Sequence, residues 1–273
     1  RNIPFYGLAM TCIDHPVARA MVEDLGLRRD GRRLLTYGVD PTADLVLTRV
    51  KVDGATTIFD AKLGPRVAGG ARELKDWSVP VPGAHNALNA LAAIGVAAEA
   101  GIKDEAIRGA MANFTGVKRR FQPTGTWNGA RFYDDYGHHP VEIAAVLAAA
   151  RAGAKARVIA IVEPHRYTRV QSLFADFCAC FKDADDVIVA PLYSAGESPI
   201  DGVDSPALAA GIARTGHRSV VAVDTPQGLV SVLRNLAGPE DTVICFGAGN
   251  STEWAHALPD WLAAIPLRVG SAG

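Results

Sequence analysis

From about residue 130 onward, short apolar runs alternate strictly with longer helix-like segments, and this alternation leaves the fold little freedom. The runs are Ala130 to Tyr133, Arg157 to Val162, Val187 to Ala190, Ser219 to Val223 and Thr242 to Phe246. Parallel strands need crossover connections, and the helices that make them cover the sheet, so the pattern predicts a Rossmann-like, mostly parallel α/β sheet with helices on both faces. The first part of the chain reads differently. Gly7 to Ile13 and Arg33 to Tyr37 are expected strands and Pro16 to Leu25 an expected helix. Leu45 to Val52 and Ala55 to Phe59 flank Asp53-Gly54, a pair suited to a tight hairpin, so antiparallel strands are expected here. Gly64 to Arg72 reads as a loop and Trp77 to Gly83 as an edge strand. Helices are expected over His85 to Glu99 and Asp104 to Asn113, with a domain boundary near Phe121 to Thr126.

An open parallel sheet places its ligand crevice beyond the carboxyl ends of its strands. The unusual polar residues collect there: Asp134-Asp135-Tyr136-Gly137-His138-His139-Pro140, then Pro164-His165-Arg166-Tyr167-Thr168-Arg169, then Tyr193-Ser194-Ala195-Gly196-Glu197, then Gly247-Ala248-Gly249-Asn250. The opposite-edge loops, Arg151 to Lys155 and Ala237 to Glu240, read as plain. This asymmetry points to a functional site. Pro140 fits the first position of a helix, whose free N–H groups would suit an anion. Imidazoles that titrate near neutrality sit beside two acids, and His165, Arg166 and Arg169 combine a base with two permanent cations.

Further motifs precede the boundary. Asn86 and Asn89, three apart, share a helix face and offer the donor and acceptor that an adenine edge needs, although a cap and a tolerated interior Asn would read the same. Lys118-Arg119-Arg120 could clamp phosphate or form a solvated linker face. Gly247-Ala248-Gly249 begins a dinucleotide fingerprint but places Thr252 where the third glycine belongs, which favours a close backbone approach to a ligand or a neighbouring strand. No phosphate-loop pattern G-x-x-x-x-G-K-[ST] occurs.

The 28 basic and 29 acidic residues nearly cancel, which argues against broad binding to nucleic acid or anionic membrane. Cys12, Cys178, Cys180 and Cys245 lack metal-ligand spacing and read as reduced, packed thiols. With no long apolar span, a cytoplasmic protein is expected.

In this order, His85-Asn86-Ala87-Leu88-Asn89-Ala90, Lys118-Arg119-Arg120-Phe121, the Asp-Asp-Tyr-Gly-His-His-Pro string, Pro164 to Arg169, Tyr193 to Glu197 and Gly247 to Asn250 resemble the Mur ligases of peptidoglycan synthesis. The resemblance implies that residues 1–121 are the second half of a mixed-sheet, ATP-binding central domain and 122–273 the C-terminal ligase domain. The UDP-sugar domain, the phosphate loop and the main Mg2+ ligands are then expected upstream of Arg1. It implies ATP and Mg2+ as cofactors, with UDP-N-acetylmuramate and L-alanine joined through an acyl phosphate. A sister ligase that attaches a preformed tripeptide, and a non-catalytic nucleotide-binding module, are the alternatives. It also implies adenine on Asn86 and Asn89 beside His85, ATP phosphates on Arg120 and ribose on Asp135. Tyr136 and His138 would line the nucleotide and the reacting phosphoryl group, while His165, Arg166 and Arg169 would orient substrate carboxylates. Closure of the C-terminal domain would bring the arginines in. Glu163 departs from the Gln common before Pro-His-Arg and would put an acid beside the cations. A monomer or weak dimer is expected.

Overall fold

The computed structural model describes residues 7–26, 31–54 and 56–264. The chain divides into two compact units, residues 1–115 and 116–273. Unit 1 carries a five-stranded sheet in the order β1-β2-β3-β4-β5: β1 (Leu8–Cys12), β2 (Arg33–Gly38), β3 (Leu45–Asp53), β4 (Thr56–Leu63) and β5 (Arg72–Val79). β1, β2 and β3 run parallel, with α1 (Pro16–Leu25) between β1 and β2, whereas β4 and β5 are antiparallel. The mixed sheet is the one the hairpin signal called for. Asp53 pairs with Thr56 and Gly54 takes φ +58; Ala55, read as strand, lies outside the described residues. β5 is the edge strand, but it starts at Arg72 rather than Trp77. Its alternation is hidden because Asp76 adopts φ +51 opposite a register shift, so Leu74 and Trp77 are both buried three residues apart. α2 (Ala84–Glu99) and α3 (Asp104–Ala112) complete the unit around Leu45, Phe59, Leu91 and Ile94.

Unit 2 carries a six-stranded sheet in the order β10-β9-β8-β11-β7-β6. Its strands are β6 (Gln122–Trp127), β7 (Ala130–Asp135), β8 (Val158–Val162), β9 (Asp186–Val189), β10 (Val220–Ala222) and β11 (Thr242–Phe246). All neighbours pair in parallel except β6 with β7. The helices are α4 (Pro140–Gly153), α5 (Tyr167–Ser172), α6 (Phe174–Ala179), α7 (Ser205–Arg214), α8 (Pro226–Leu236) and α9 (Ser251–Ala263). Successive side chains of β8 serve opposite faces. Val158, Ala160 and Val162 join a core with α4, α6 and α7, and Ile159 and Ile161 join another with α8 and α9. Burial on both faces is why these strands read as continuous apolar runs.

β6 was absent from the sequence reading, which placed a boundary there. Pro123 and Gly125 disguise it; it survives as an edge strand with a bulge between them. Residues 116–121 travel with unit 2, because Tyr136 N–H donates to Arg119 O, Phe121 N–H donates to Asp135 Oδ2, and Phe121 stacks on Tyr133. The opposite edge of the sheet is less plain than expected. Arg151 pairs with Asp185, Lys155 with Glu240 and Arg157 with Asp241, charges that neutralise one another locally. The four cysteines are free thiols, three of them buried. Among the described residues no helix is long and apolar enough to cross a membrane.

Candidate active site

In unit 2 the carboxyl ends of β7 and β8 and the loop after β9 bring together a run of rings. Tyr136 meets His138 edge-on at 5.0 Å, His138 lies 5.6 Å from His165, and His165 stacks on Tyr193 at 5.2 Å. Guanidinium groups flank both ends. Arg119 and Arg120 lie 4.7 and 5.9 Å from the Tyr136 ring, and Arg169 Nη1 approaches His165 Nδ1 at 3.5 Å. Tyr136, His138, His165, Arg166 and Arg169 are thus gathered at one end of the sheet, as their positions in sequence predicted.

Local chemistry explains how each is held. Asp135 is 1% exposed, and its oxygens accept from Gly137 N at 2.7 Å and Phe121 N at 2.8 Å. A Cβ at Gly137 would lie 2.8 Å from Asp135 Oδ1, so only glycine lets the turn close over the acid. Burial pushes the Asp135 carboxyl up to about 6, against these two amide bonds. In this structure the acid, for which the resemblance implies ribose binding, pins the turn from inside. His139 is the helix cap, its Nδ1 accepting from Val141 N, and Pro140 opens α4. Glu142 Oε2 accepts from His138 N at 3.3 Å. The amides at 137, 138 and 141 thus bond to the protein's own side chains.

The loop after β8 is clipped to the one after β9. Arg166 N–H donates to Tyr193 O and Tyr193 N–H to Pro164 O. Glu197 accepts from Thr168 N at 3.0 Å and Thr168 Oγ1 at 2.8 Å, and lies 3.5 Å from Arg166 Nη1. Arg166 is held at φ +69, a conformation costly outside glycine and characteristic of functional turns. Burial, then His138, Arg169 and Arg166, push the His165 imidazole below its ordinary range, so it is neutral at physiological pH.

Glu163, expected beside the cations, turns inward to the glycine turn after β11. It is 1% exposed and accepts from the amides of Gly249, Asn250 and Ser251 at 3.0, 2.9 and 3.2 Å. The glycine turn closely approaches side chains of the loops after β8 and β9: a Cβ on Gly247 would lie 2.9 Å from Glu163 Cβ, and one on Gly249 2.6 Å from the Tyr193 ring. Arg119 also turns inward, donating to Gly247 O at 2.7 Å and lying 3.7 Å from buried Asp134. Of the three consecutive cations, Lys118 and Arg120 are exposed. Sequence reasoning gave no role to Arg119 alone, Glu142, Tyr193 or Glu197; only the spacing of Glu142 four residues after His138 signalled one of them.

His85, Asn86 and Asn89 belong to unit 1, at the start of α2. Asn86 Nδ2 donates to Pro82 O at 2.8 Å, and Asn89 is exposed, with its Nδ2 3.5 Å from Asn86 Oδ1. An adenine held by both groups of Asn86 would have to release the first bond. Among the described residues no three His, Cys, Asp or Glu side chains are placed to hold a metal ion.

Residues 119–249 match the family model for the Mur ligase glutamate ligase domain. The chain is 56% identical over 264 residues to the UDP-N-acetylmuramate–L-alanine ligase of Methylobacterium nodulans, an alignment covering 97% of this chain and 55% of that protein. It therefore spans about half the length of the curated relatives it matches. The UDP-N-acetylmuramate-alanine ligase of Thermotoga maritima superposes with a TM-score of 0.68 at 23% identity, covering 84% of this chain and 48% of that one. MurF ligase of Thermotoga maritima, in complex with ADP, gives 0.64 at 16% identity over 95% of this chain and 54% of its own. These two likenesses establish the fold.

Proposed function

Because the chain belongs to the Mur ligase family, we propose that it is the C-terminal part of an ATP-dependent, cytoplasmic ligase that joins L-alanine to UDP-N-acetylmuramate. A carboxylate cannot be displaced by an amine until its oxygen is made a leaving group, and phosphorylation does so. The acyl phosphate carries several negative charges as it forms and breaks, and preorganised cations lower that barrier. Arg166 and Arg169 supply fixed positive charge and Arg120 an exposed guanidinium, while His138 and His165 supply two imidazoles 5.6 Å apart. That juxtaposition is the observation that carries the reading.

In unit 1, Asn86 and Asn89 have the amide chemistry for an adenine edge, so ATP fits the residues present. ATP supplies the phosphoryl group. Mg2+ finds no cluster of three His, Cys, Asp or Glu ligands among the described residues.

The test is ATP consumption by the complete protein with UDP-N-acetylmuramate and each amine. L-alanine-dependent phosphate release is expected. Activity with a preformed tripeptide but not L-alanine would assign the sister reaction instead, and nucleotide binding without turnover would leave a regulatory module.

A further inference from the structure

The partners of the two central histidines fix their tautomers. His138 Nδ1 lies 2.9 Å from Tyr136 O. A carbonyl can only accept, so Nδ1 carries the hydrogen and the lone pair of the neutral ring is on Nε2. His165 Nδ1 lies 3.5 Å from Arg169 Nη1. A guanidinium can only donate, so here Nδ1 holds the lone pair and Nε2 carries the hydrogen.

We infer that the two rings have opposite roles: His138 Nε2 takes the proton from the ammonium of the incoming amino acid, and His165 Nε2–H is a neutral donor to an oxygen of the acyl phosphate. The inference rests on the acyl-transfer reading and deepens it. The groups around each ring agree. His138 is faced by Tyr136, by His165 and by Glu142 on α4, whose Oε2 lies 4.0 Å from Nδ1 and would stabilise the imidazolium formed by proton uptake. Arg120, 3.9 Å from the other Glu142 oxygen, partly offsets that charge. His165 is faced by His138, Arg166, Arg169 and Tyr193, with Glu197 as the acid of its surroundings. Cations prevail there, so this ring keeps its neutral form.

The step balances. The ammonium gives one proton to His138 Nε2, and the freed amine pair forms the C–N bond at the acyl carbon. The C–O bond to phosphate breaks with its electron pair on the leaving oxygen, and the remaining surplus amine proton leaves with the phosphate. His138 then releases its proton to water.

Long-range 1H–15N NMR of this chain reads the tautomers directly. His138 is expected as the Nδ1–H form and His165 as the Nε2–H form, and the reverse at either ring overturns the inference. In the complete ligase, His138→Gln is compared with two acceptors, L-alanine, which arrives protonated, and hydroxylamine, which is already neutral at assay pH. Turnover with L-alanine should fall about 100-fold or more, the usual contribution of a positioned base, while hydroxamate formation falls by less than about tenfold. Proportional losses with both acceptors would overturn the role of His138. Should the wild-type protein consume no ATP with either acceptor, the ligase reading itself falls, and the NMR result still decides the tautomers.

Discussion

The acids of unit 1 and those at the strand ends of unit 2 are shifted in opposite directions. In unit 1, Asp60 is held at about 2 by the Arg49 hydrogen bond and by Asp76 N–H, and Asp40 at about 2 by Thr42 and then Arg19. Asp60 is buried and Asp40 half-buried, and each lies against a permanent cation, Arg49 and Arg19. In unit 2, burial pushes Asp134, Asp135 and Glu163 up, although backbone amides or Arg119 oppose the shift. Asp185, at the other end of the unit 2 sheet, follows the unit 1 pattern, since Arg151 and Val158 N–H outweigh its burial. An acid with a guanidinium within hydrogen-bond reach is held as an anion by its neighbours. One beneath a strand-end turn is there for its hydrogen bonds and is costly to ionise.

The comparison is broken most directly at Glu163. Glu163→Ala leaves three amides, one buried and two part-buried, without their acceptor and should destabilise unit 2 by about 3 kcal/mol in denaturant titration. Glu163→Gln, which keeps an acceptor and loses the charge, should cost less than half as much; equal losses would mean that packing, not amide capture, is the role of this residue.

The pH response sharpens the contrast. The folded Asp135 binds its proton more tightly than the unfolded chain does, so its contribution to stability is complete below about 4 and is lost as pH rises through about 6, a change of up to about 3 kcal/mol. Asp40 and Asp60 act the other way: their contribution is present above about 4 and is lost as pH falls towards about 2. Hydrogen exchange resolved by unit should find unit 2 losing protection between pH 4 and 6, while the Asp40 and Asp60 contribution to unit 1 stays constant.

A smaller effect is expected at Gly249. An added Cβ would meet the Tyr193 ring at 2.6 Å, so Gly249→Ala should cost about 1 to 3 kcal/mol and shift the His165 imidazole resonances by moving the ring stacked on it. The smallest belongs to unit 1. Arg49→Ala removes a part-buried ion pair but leaves the Asp76 N–H bond to Asp60, so it should lower the denaturation midpoint least of these variants, while the Asp60 carboxyl returns upward in an NMR titration.

Much of this was legible in the residues. Continuous apolar runs such as Val158 to Val162 announced a sheet covered on both faces, and the polar strings after them placed Tyr136, His138, His165 and Arg169 at one end of it. β6 was hidden because Pro123 and Gly125 are poor strand formers that an edge position tolerates. The inward turn of Arg119 and Glu163 was hidden for a different reason. Their partners, Gly247 and residues 249 to 251, lie more than eighty positions away, and no local period encodes such a pairing.

The sequence by itself determined which residues reach the carboxyl ends of the strands, since alternation and strand length settle that locally. Only the tertiary structure decided which of them keep their polar groups open and which are consumed as internal supports. That choice depends on β11 inserting between β7 and β8, which brings a glycine turn from near the end of the chain onto an acid expected beside the cations and a guanidinium that could have clamped phosphate.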